Sequence, residues 1–511
     1  MPSLNQSLAL DAPAAAVPVV WPLPALLGLP EKVLQFGTGV LLRALPDLMI
    51  DAANRQGVFN GRVVVVKSTA AGDPAPFARQ DGLYTVCVRG LADGQPVEEN
   101  VVCASISRVL SATSQWAEIL KFAASPDLVV VVSNTTEVGI QLVSEDIRGA
   151  APQSFPGKLL AVLHARFLAF GGDARRGLVI VPTELIADNG RKLEAIVLEL
   201  AHRHDLGSDF LDWLETANYF CNSLVDRIVP GRPDGSAYDR LQAELGYEDQ
   251  LLTMAEAYAL WAIEGGERVR EVLTFHRVAA GVVVQPDITL FRELKLRLLN
   301  GTHTLSFALA HLAGCATVRE ALDTPNLARF IQNLMLGDLR AGIPGAVDEQ
   351  ASQRFGLQVL DRFRNPYLEH RWLAIAVQGT AKMRLRNVPT LLHYYQRRAA
   401  VPRYVALGFA AYLLFMRNTA STPGAGQGVA NGQPYAIEDE RAGYFADLWA
   451  RLSPEELAAT VLRDAALWGQ SMYHLPGFAN CVSFYLTQLL AKGAPATLAA
   501  FFAQEAAVVA T

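Results

Sequence analysis

Five short stretches in the first half of the chain, at residues 33–36, 63–67, 83–89, 128–133 and 178–182, run mainly in Val, Ile and Leu with little polar alternation. A strand with one wet face alternates apolar and polar residues. Strands that do not alternate are buried on both faces, as in a parallel sheet covered by helices. Helical spacing fills the intervals at 114–124, 155–170 and 191–202. This succession predicts a doubly wound α/β domain and argues against a sandwich or a bundle for this half of the chain.

The first unit of that pattern carries a ligand signal. The run at Val33 leads into Gln35-Phe36-Gly37-Thr38-Gly39 and then into a helical pattern through Arg43, Leu45, Leu48, Met49 and Ala52. A strand, a Gly-x-Gly turn, a helix and a second strand form the opening of a dinucleotide-binding fold, in which the glycines let backbone approach a pyrophosphate. Leu42 stands where the third glycine of the full motif would fall. The alternative is an ordinary strand-to-helix turn. Ligands of such sheets gather at the carboxyl ends of strands. There the chain offers Lys67-Ser68-Thr69, Ser133-Asn134-Thr135-Thr136-Glu137 and Asp188-Asn189-Gly190. Ser133, Asn134 and Thr135 suit a ribose or phosphate, or a helix cap; Glu137 suits a substrate gate or a solvated cap. Asn189 belongs either to a simple turn or to the site, and Asp226 either to a pairing with backbone beside Arg227 or to the site.

Beyond about residue 286 helical periodicity takes over, at 291–313, 318–336, 350–363, 371–386, 404–417, 438–451 and 454–467. The expected division is an N-terminal extension at 1–30, a Rossmann-type domain at 31–287 and a mostly α-helical substrate and catalytic domain at 288–511. Residues 419–433 read as a surface loop, and the first thirty residues as a loose extension. In the helical half, Lys295, Asn300 and His303 fall within nine residues. On a regular helix Asn300 lies about 140° and His303 about 80° from Lys295, so all three can face one cavity. An amine, a carboxamide and an imidazole suit alcohol–ketone chemistry, where one group moves the proton and the others polarise the oxygen. Arg362, Arg364, His370 and Lys382 form a basic segment downstream, and guanidinium forks suit a carboxylate.

Several classes are disfavoured. The net charge is −6, which argues against a nucleic-acid partner. The longest apolar run, around 404–416, is too short to span a bilayer and predicts a buried helix. Five scattered cysteines point to a reducing, cytoplasmic compartment. His202-x-His204 lacks a third ligand, so no metal is expected. Neither a phosphate-binding Gly-x-x-x-x-Gly-Lys loop nor a Gly-x-Ser-x-Gly elbow occurs.

Taken together, Lys295-x(4)-Asn300-x(2)-His303, Asn222-Ser-Leu-Val-Asp226-Arg227 and Gln35 through Arg43 resemble the polyol-specific long-chain dehydrogenases, the mannitol dehydrogenase family, over about residues 31–382. Ser133–Glu137 and Phe363-Arg364-Asn365-Pro366-Tyr367 resemble its uronate-reducing members. The resemblance implies a zinc-independent, NAD-dependent enzyme that reduces the keto group of a hexuronate such as D-tagaturonate, with fructuronate or a neutral polyol of the mannitol type as the alternative substrate. It assigns Lys295 as general acid/base with Asn300 and His303 on the carbonyl oxygen. It places the cofactor against Gln35, Phe36, Gly37, Thr38, Gly39, Arg43, Lys67, Ser133, Asn134, Thr135, Asn189 and Asp226. The substrate falls to Glu137, Arg362, Arg364, His370 and Lys382. Two departures stand out. Glu184-Leu185 replaces an Asp-Asn pair of mannitol dehydrogenases, which speaks against mannitol. The second strand ends in Lys67-Ser68-Thr69 rather than in the acid usual for NAD, which leaves NADP open.

Overall fold

The computed structural model describes residues 1–69, 73–135, 139–345, 347–418 and 426–509. The chain forms two compact units, one of Met1–Gly90 with Gln95–Ile288 and one of Leu91–Gly94 with Thr289–Thr511.

The strands of the first unit are Glu31–Phe36 (β1), Arg62–Lys67 (β2), Tyr84–Ala92 (β3), Gln95–Cys103 (β4), Ile106–Ser111 (β5), Val130–Ser133 (β6), Val179–Pro182 (β7), Tyr219–Phe220 (β8), Ser223–Asp226 (β9), Thr253–Glu256 (β10), Leu260–Glu264 (β11) and Val282–Gln285 (β12). The main sheet has the order β5-β2-β1-β6-β7-β8 and is parallel throughout. Counted along the chain, its strands run 3-2-1-4-5-6, the dinucleotide-fold order, and the direction of winding reverses between β1 and β6.

The Val-rich runs behave as their composition requires. Val63 and Val65 pack into one core cluster while Val64 and Val66 pack into the other, so both faces of the sheet are covered. Four of the five expected strands join this sheet. The run at 83–89 instead lies in a separate three-stranded sheet, β10-β3-β4. Its place at the edge of the main sheet is taken by β5, whose half-wet face hid it among polar residues. A third sheet, β12-β11-β9, completes the unit.

The N-terminus is not loose. Leu4 and Ala9 are buried against Leu83, Cys87, Val102 and Tyr247, and backbone bridges pair Ser3 with Glu248 and Val20 with Val101. The sparse apolar residues of this segment suffice because an existing sheet supplies the other side of the core.

Among the described residues of 289–511 the second unit is helical apart from a hairpin, Gln427–Ala430 (β13) with Gln433–Ala436 (β14), which corrects the loop reading for that part; 419–425 lie outside the described residues. Helix Arg403–Phe415 is buried along most of its length. Among the described residues no helix is long and apolar enough to cross a membrane. Three segments are π-helical: Lys295–Asn300, Leu334–Leu339 and Met383–Asn387. The last has a covalent cause. Pro389 has no N–H to give the Leu385 carbonyl four residues earlier, and a wider turn is the local remedy.

Candidate functional site

In the first unit a cavity of about 590 Å³ opens at the carboxyl ends of β1, β2 and β6, the winding reversal. Phe36, Gly37, Thr38, Lys67, Asn134 and Thr135 line it. Gly37 has φ +127°, and a Cβ there would sit 3.0 Å from the Asn134 carbonyl oxygen and 3.0 Å from Leu42 Cδ1. Only glycine fits, and Leu42 fills the space under the turn. Gly39 is different: a Cβ there would meet nothing within 4 Å, so the fold itself does not demand glycine. Two glycines at a strand end, one dispensable to packing, fit the close approach of a dinucleotide's pyrophosphate. The helix after the turn is short, Val40–Ala44, and a second helix, Pro46–Arg55, follows Leu45 instead of one continuous helix.

Several expected contacts prove to support the turn rather than face the cavity. Gln35 is fully buried; its Nε2 donates to the Gly37 carbonyl at 3.3 Å and to Asp47 Oδ2 at 3.1 Å. Arg43 turns into the core. Its guanidinium lies 5.4 Å from the Tyr84 ring and 5.8 Å from Phe77 and donates to the Leu251 carbonyl, and burial lowers its pKa. Asn189 is saturated by backbone: Nδ2 donates to Pro182, Glu184 and Ser223 carbonyls, and Oδ1 accepts from Gly190 and Ser223 N–H. Its role is to tie β7 to β9, with no group left to offer a ligand. Asp226 is buried on β9, opposite Leu260 of β11. Glu137 lies outside the described residues.

Glu184 emerges as the organiser of the β6 end. Its carboxylate, 3% exposed, accepts from Ser133 Oγ at 3.1 Å, Thr135 N at 2.8 Å and Thr135 Oγ1 at 3.0 Å. The adjacent Thr183 hydroxyl accepts from Asn134 Nδ2 at 2.9 Å. The residue that departs from the mannitol dehydrogenase pattern therefore clamps the loop lining the cavity, and the Ser133 and Thr135 hydroxyls point to it.

In the second unit Lys295 opens one π-helical segment and Asn300 closes it, both half-buried. This changes the expected angles. A π-helix closes i→i+5 bonds, so Asn300 comes back over Lys295 instead of lying well round the helix. The regular helix Gly301–Leu312 then carries His303.

His303 is 7% exposed and stacks on Phe363 at 4.3 Å, with His370 at 4.9 Å and Trp372 at 6.1 Å edge-on. Its Nε2 is buried and has no hydrogen-bond partner. Burial holds its pKa well below the ordinary imidazole value, and the charges of His370, Arg362, Arg386 and Lys382 push it the same way. His303 is therefore neutral at neutral pH. Lys382 donates to the Ile375 carbonyl at 2.9 Å, and its own pKa is lowered by burial and by Arg386. Arg386 donates to Thr304 Oγ1 at 3.1 Å. Arg364 is exposed, 3.9 Å from Asp361.

Three residues that the sequence reading did not single out complete this half. Arg386 lies four residues after Lys382, a helical same-face spacing that would have exposed it. Arg297, 7% exposed, donates to the Leu385 and Arg386 carbonyls at 3.3 and 2.8 Å and so answers the donor that Pro389 lacks. Asn387 Nδ2 donates to the Gly301 carbonyl at 3.0 Å. The Lys295–Asn300 segment thus satisfies carbonyls of Met383–Asn387, and Asn387 in return satisfies the first carbonyl of the helix that carries His303, which ties Asn300 and His303 to the segment holding Arg386. Among the described residues no group of three His, Cys, Asp or Glu could hold a metal ion.

Comparison with known proteins fits both halves. The family model described as the mannitol dehydrogenase Rossmann domain matches residues 31–275, and the mannitol dehydrogenase C-terminal domain matches 287–490. An altronate oxidoreductase of Halalkalibacterium halodurans is 41% identical over 453 residues, 86% of this chain and 87% of that protein. One from Bacillus subtilis is 37% identical over 463 residues, 90% of this chain and 93% of that protein. Among solved structures, a D-sorbitol dehydrogenase in substrate-free form superposes with a TM-score of 0.74 at 20% identity, covering 97% of this chain and 100% of that one. Pseudomonas fluorescens mannitol 2-dehydrogenase, in a ternary complex with NAD and D-mannitol, gives 0.67 at 22%, covering 98% and 99%.

Proposed function

Given that this chain belongs to the mannitol dehydrogenase family and is an oxidoreductase of the alcohol–ketone kind, we propose that it reversibly reduces the keto group of a hexuronate, D-tagaturonate to D-altronate. The observation that carries this reading is the buried, neutral, unpartnered His303 ringed by Arg362, His370, Lys382 and Arg386. A neutral sugar needs no such cations, whereas a uronate brings a carboxylate to them. The altronate oxidoreductase names of the relatives point the same way.

The cavity at Gly37 and Gly39 takes a nicotinamide dinucleotide, with Phe36, Thr38 and Asn134 around it. When bound, its nicotinamide supplies or accepts the hydride. The chain's own residues do the rest. Asn300 and the Nε2–H tautomer of His303 donate hydrogen bonds to the substrate's carbonyl oxygen, and these strengthen as that oxygen gains negative charge. Lys295 gives its proton to the same oxygen; in the oxidative direction the neutral amine takes it back. Because His303 is uncharged, it polarises the carbonyl without competing as a proton donor, which leaves that task to Lys295. Arg386, Lys382 and Arg362 hold the carboxylate. Of the other expected members of the substrate set, His370, edge-on to His303, and the exposed Arg364 are candidates for further contacts to the substrate, and Glu137 lies outside the described residues.

The test is Lys295→Ala. General acid–base catalysis contributes about 10²–10⁴-fold, so kcat for D-tagaturonate should fall by that range while dinucleotide affinity stays the same. Unchanged turnover would sink the assignment.

A further inference from the structure

The end of the second strand is where this fold distinguishes its two nicotinamide dinucleotides. A carboxylate there holds the ribose 2′-hydroxyl, whereas cations and hydroxyls receive a 2′-phosphate. This chain has no Asp or Glu from Arg62 through Gly72. Lys67, Ser68 and Thr69 line the dinucleotide cavity instead.

Their arrangement is that of a built anion seat. The ammonium of Lys67, 8% exposed, donates to the Thr69 carbonyl at 2.5 Å, which folds the turn back over the strand end and keeps the positive charge there. Ser68 Oγ is buried and without a hydrogen-bond partner, although it belongs to a residue on the cavity wall. A buried hydroxyl is seldom left unpaired unless something else completes it. A second ammonium, Lys158, 3% exposed, lines the same cavity and donates to the Gln153 carbonyl at 2.7 Å. Glu145 acts electrostatically on Lys158, and its oxygens already accept from Gln153 N, Ser154 N and the Ser154 hydroxyl. Among the described residues no carboxylate lines the cavity.

The geometry points to a 2′-phosphate seat formed by Lys67, Ser68 and Thr69, so that this enzyme takes the phosphorylated dinucleotide, NADP(H), in preference to NAD(H). This rests on the dinucleotide reading above. The Ser68 hydroxyl donates to a phosphate oxygen, and Lys67 supplies a positive charge where the usual acid would repel the phosphate.

Isothermal titration of the full-length protein with 2′,5′-ADP and with 5′-AMP tests this without turnover. The two ligands differ only in the 2′-phosphate. One charge-assisted hydrogen bond makes 2′,5′-ADP bind at least about tenfold tighter. Lys67→Gln and Ser68→Ala should each shrink that ratio toward one and leave the AMP affinity in place. AMP binding as well as or better than 2′,5′-ADP overturns the seat while the oxidoreductase reading survives. Failure of both to bind overturns the seat and the dinucleotide reading together.

Discussion

Asp47 sits under the glycine turn, fully buried, with Oδ2 accepting from Gln35 and Oδ1 lacking any partner. Burial raises its carboxyl from 3.8 to about 7, against the Gln35 hydrogen bond and the charge of Arg43. The folded group therefore keeps its proton up to about pH 7, while in the unfolded chain it loses it near pH 4. Between those values the unfolded state binds fewer protons, so stability falls as pH rises. The gap corresponds to about 4 kcal/mol, present in full only below the lower value and withdrawn by the upper one. Asp47→Asn removes the ionisation, keeps an acceptor for Gln35 and offers a donor where Oδ1 has none. Urea unfolding should show the variant about 4 kcal/mol more stable than the parent at pH 8, about 1 kcal/mol more stable at pH 4.5, and nearly equal to it only at about pH 3. A variant no more stable at pH 8 refutes the argument that burial, rather than Arg43, dominates this carboxyl.

Other consequences follow from the helical unit. Arg386→Met should raise KM for a hexuronate by about 10²-fold, the worth of a charge-assisted contact, and leave turnover of a neutral ketose nearly unchanged in a steady-state comparison. His303→Phe keeps the ring on Phe363 and removes the unpartnered Nε2. Its melting temperature should hold or rise, while kcat drops about 10²–10³-fold as for a lost oxyanion donor; a marked loss of stability would contradict the unpartnered state. Arg297→Met strips the Leu385 and Arg386 carbonyls of their donor and should cost about 1–3 kcal/mol. Its kcat should fall with dinucleotide affinity intact, which titration calorimetry separates from a general folding defect.

The parallel sheet was legible because strands buried on both faces have a composition of their own: Val63 to Val66 allow little else. Strand β5 was not, since its exposed face mixes Ser107 and Arg108 into the run, and Leu83 to Arg89 looked like a member of the main sheet though they pair elsewhere. The trio Lys295, Asn300 and His303 was visible as spacing, but its angles were not. A periodicity argument assumes a regular helix, whereas this segment is π-helical. The same limit hid Arg297 and Asn387, whose work is to satisfy carbonyls across a fold-dependent contact. Asn189 shows the opposite case, a polar residue at a promising strand end whose donors and acceptors the fold itself consumes, while Arg43 turns away from the cavity into the core. Glu184 stands out in the sequence as a departure, yet its grip on Ser133 and Thr135 arises only when the fold brings the ends of β6 and β7 together.

Reduction of a hexuronate ketone is read from initial-rate oxidation of the reduced dinucleotide, with D-tagaturonate, D-fructuronate and D-fructose run in parallel. Turnover of D-tagaturonate should stand well above that of D-fructose, and Arg386→Met should collapse that preference. Turnover of D-fructose alone, with the acids untouched, would contradict it and assign the cations around His303 a purely structural part.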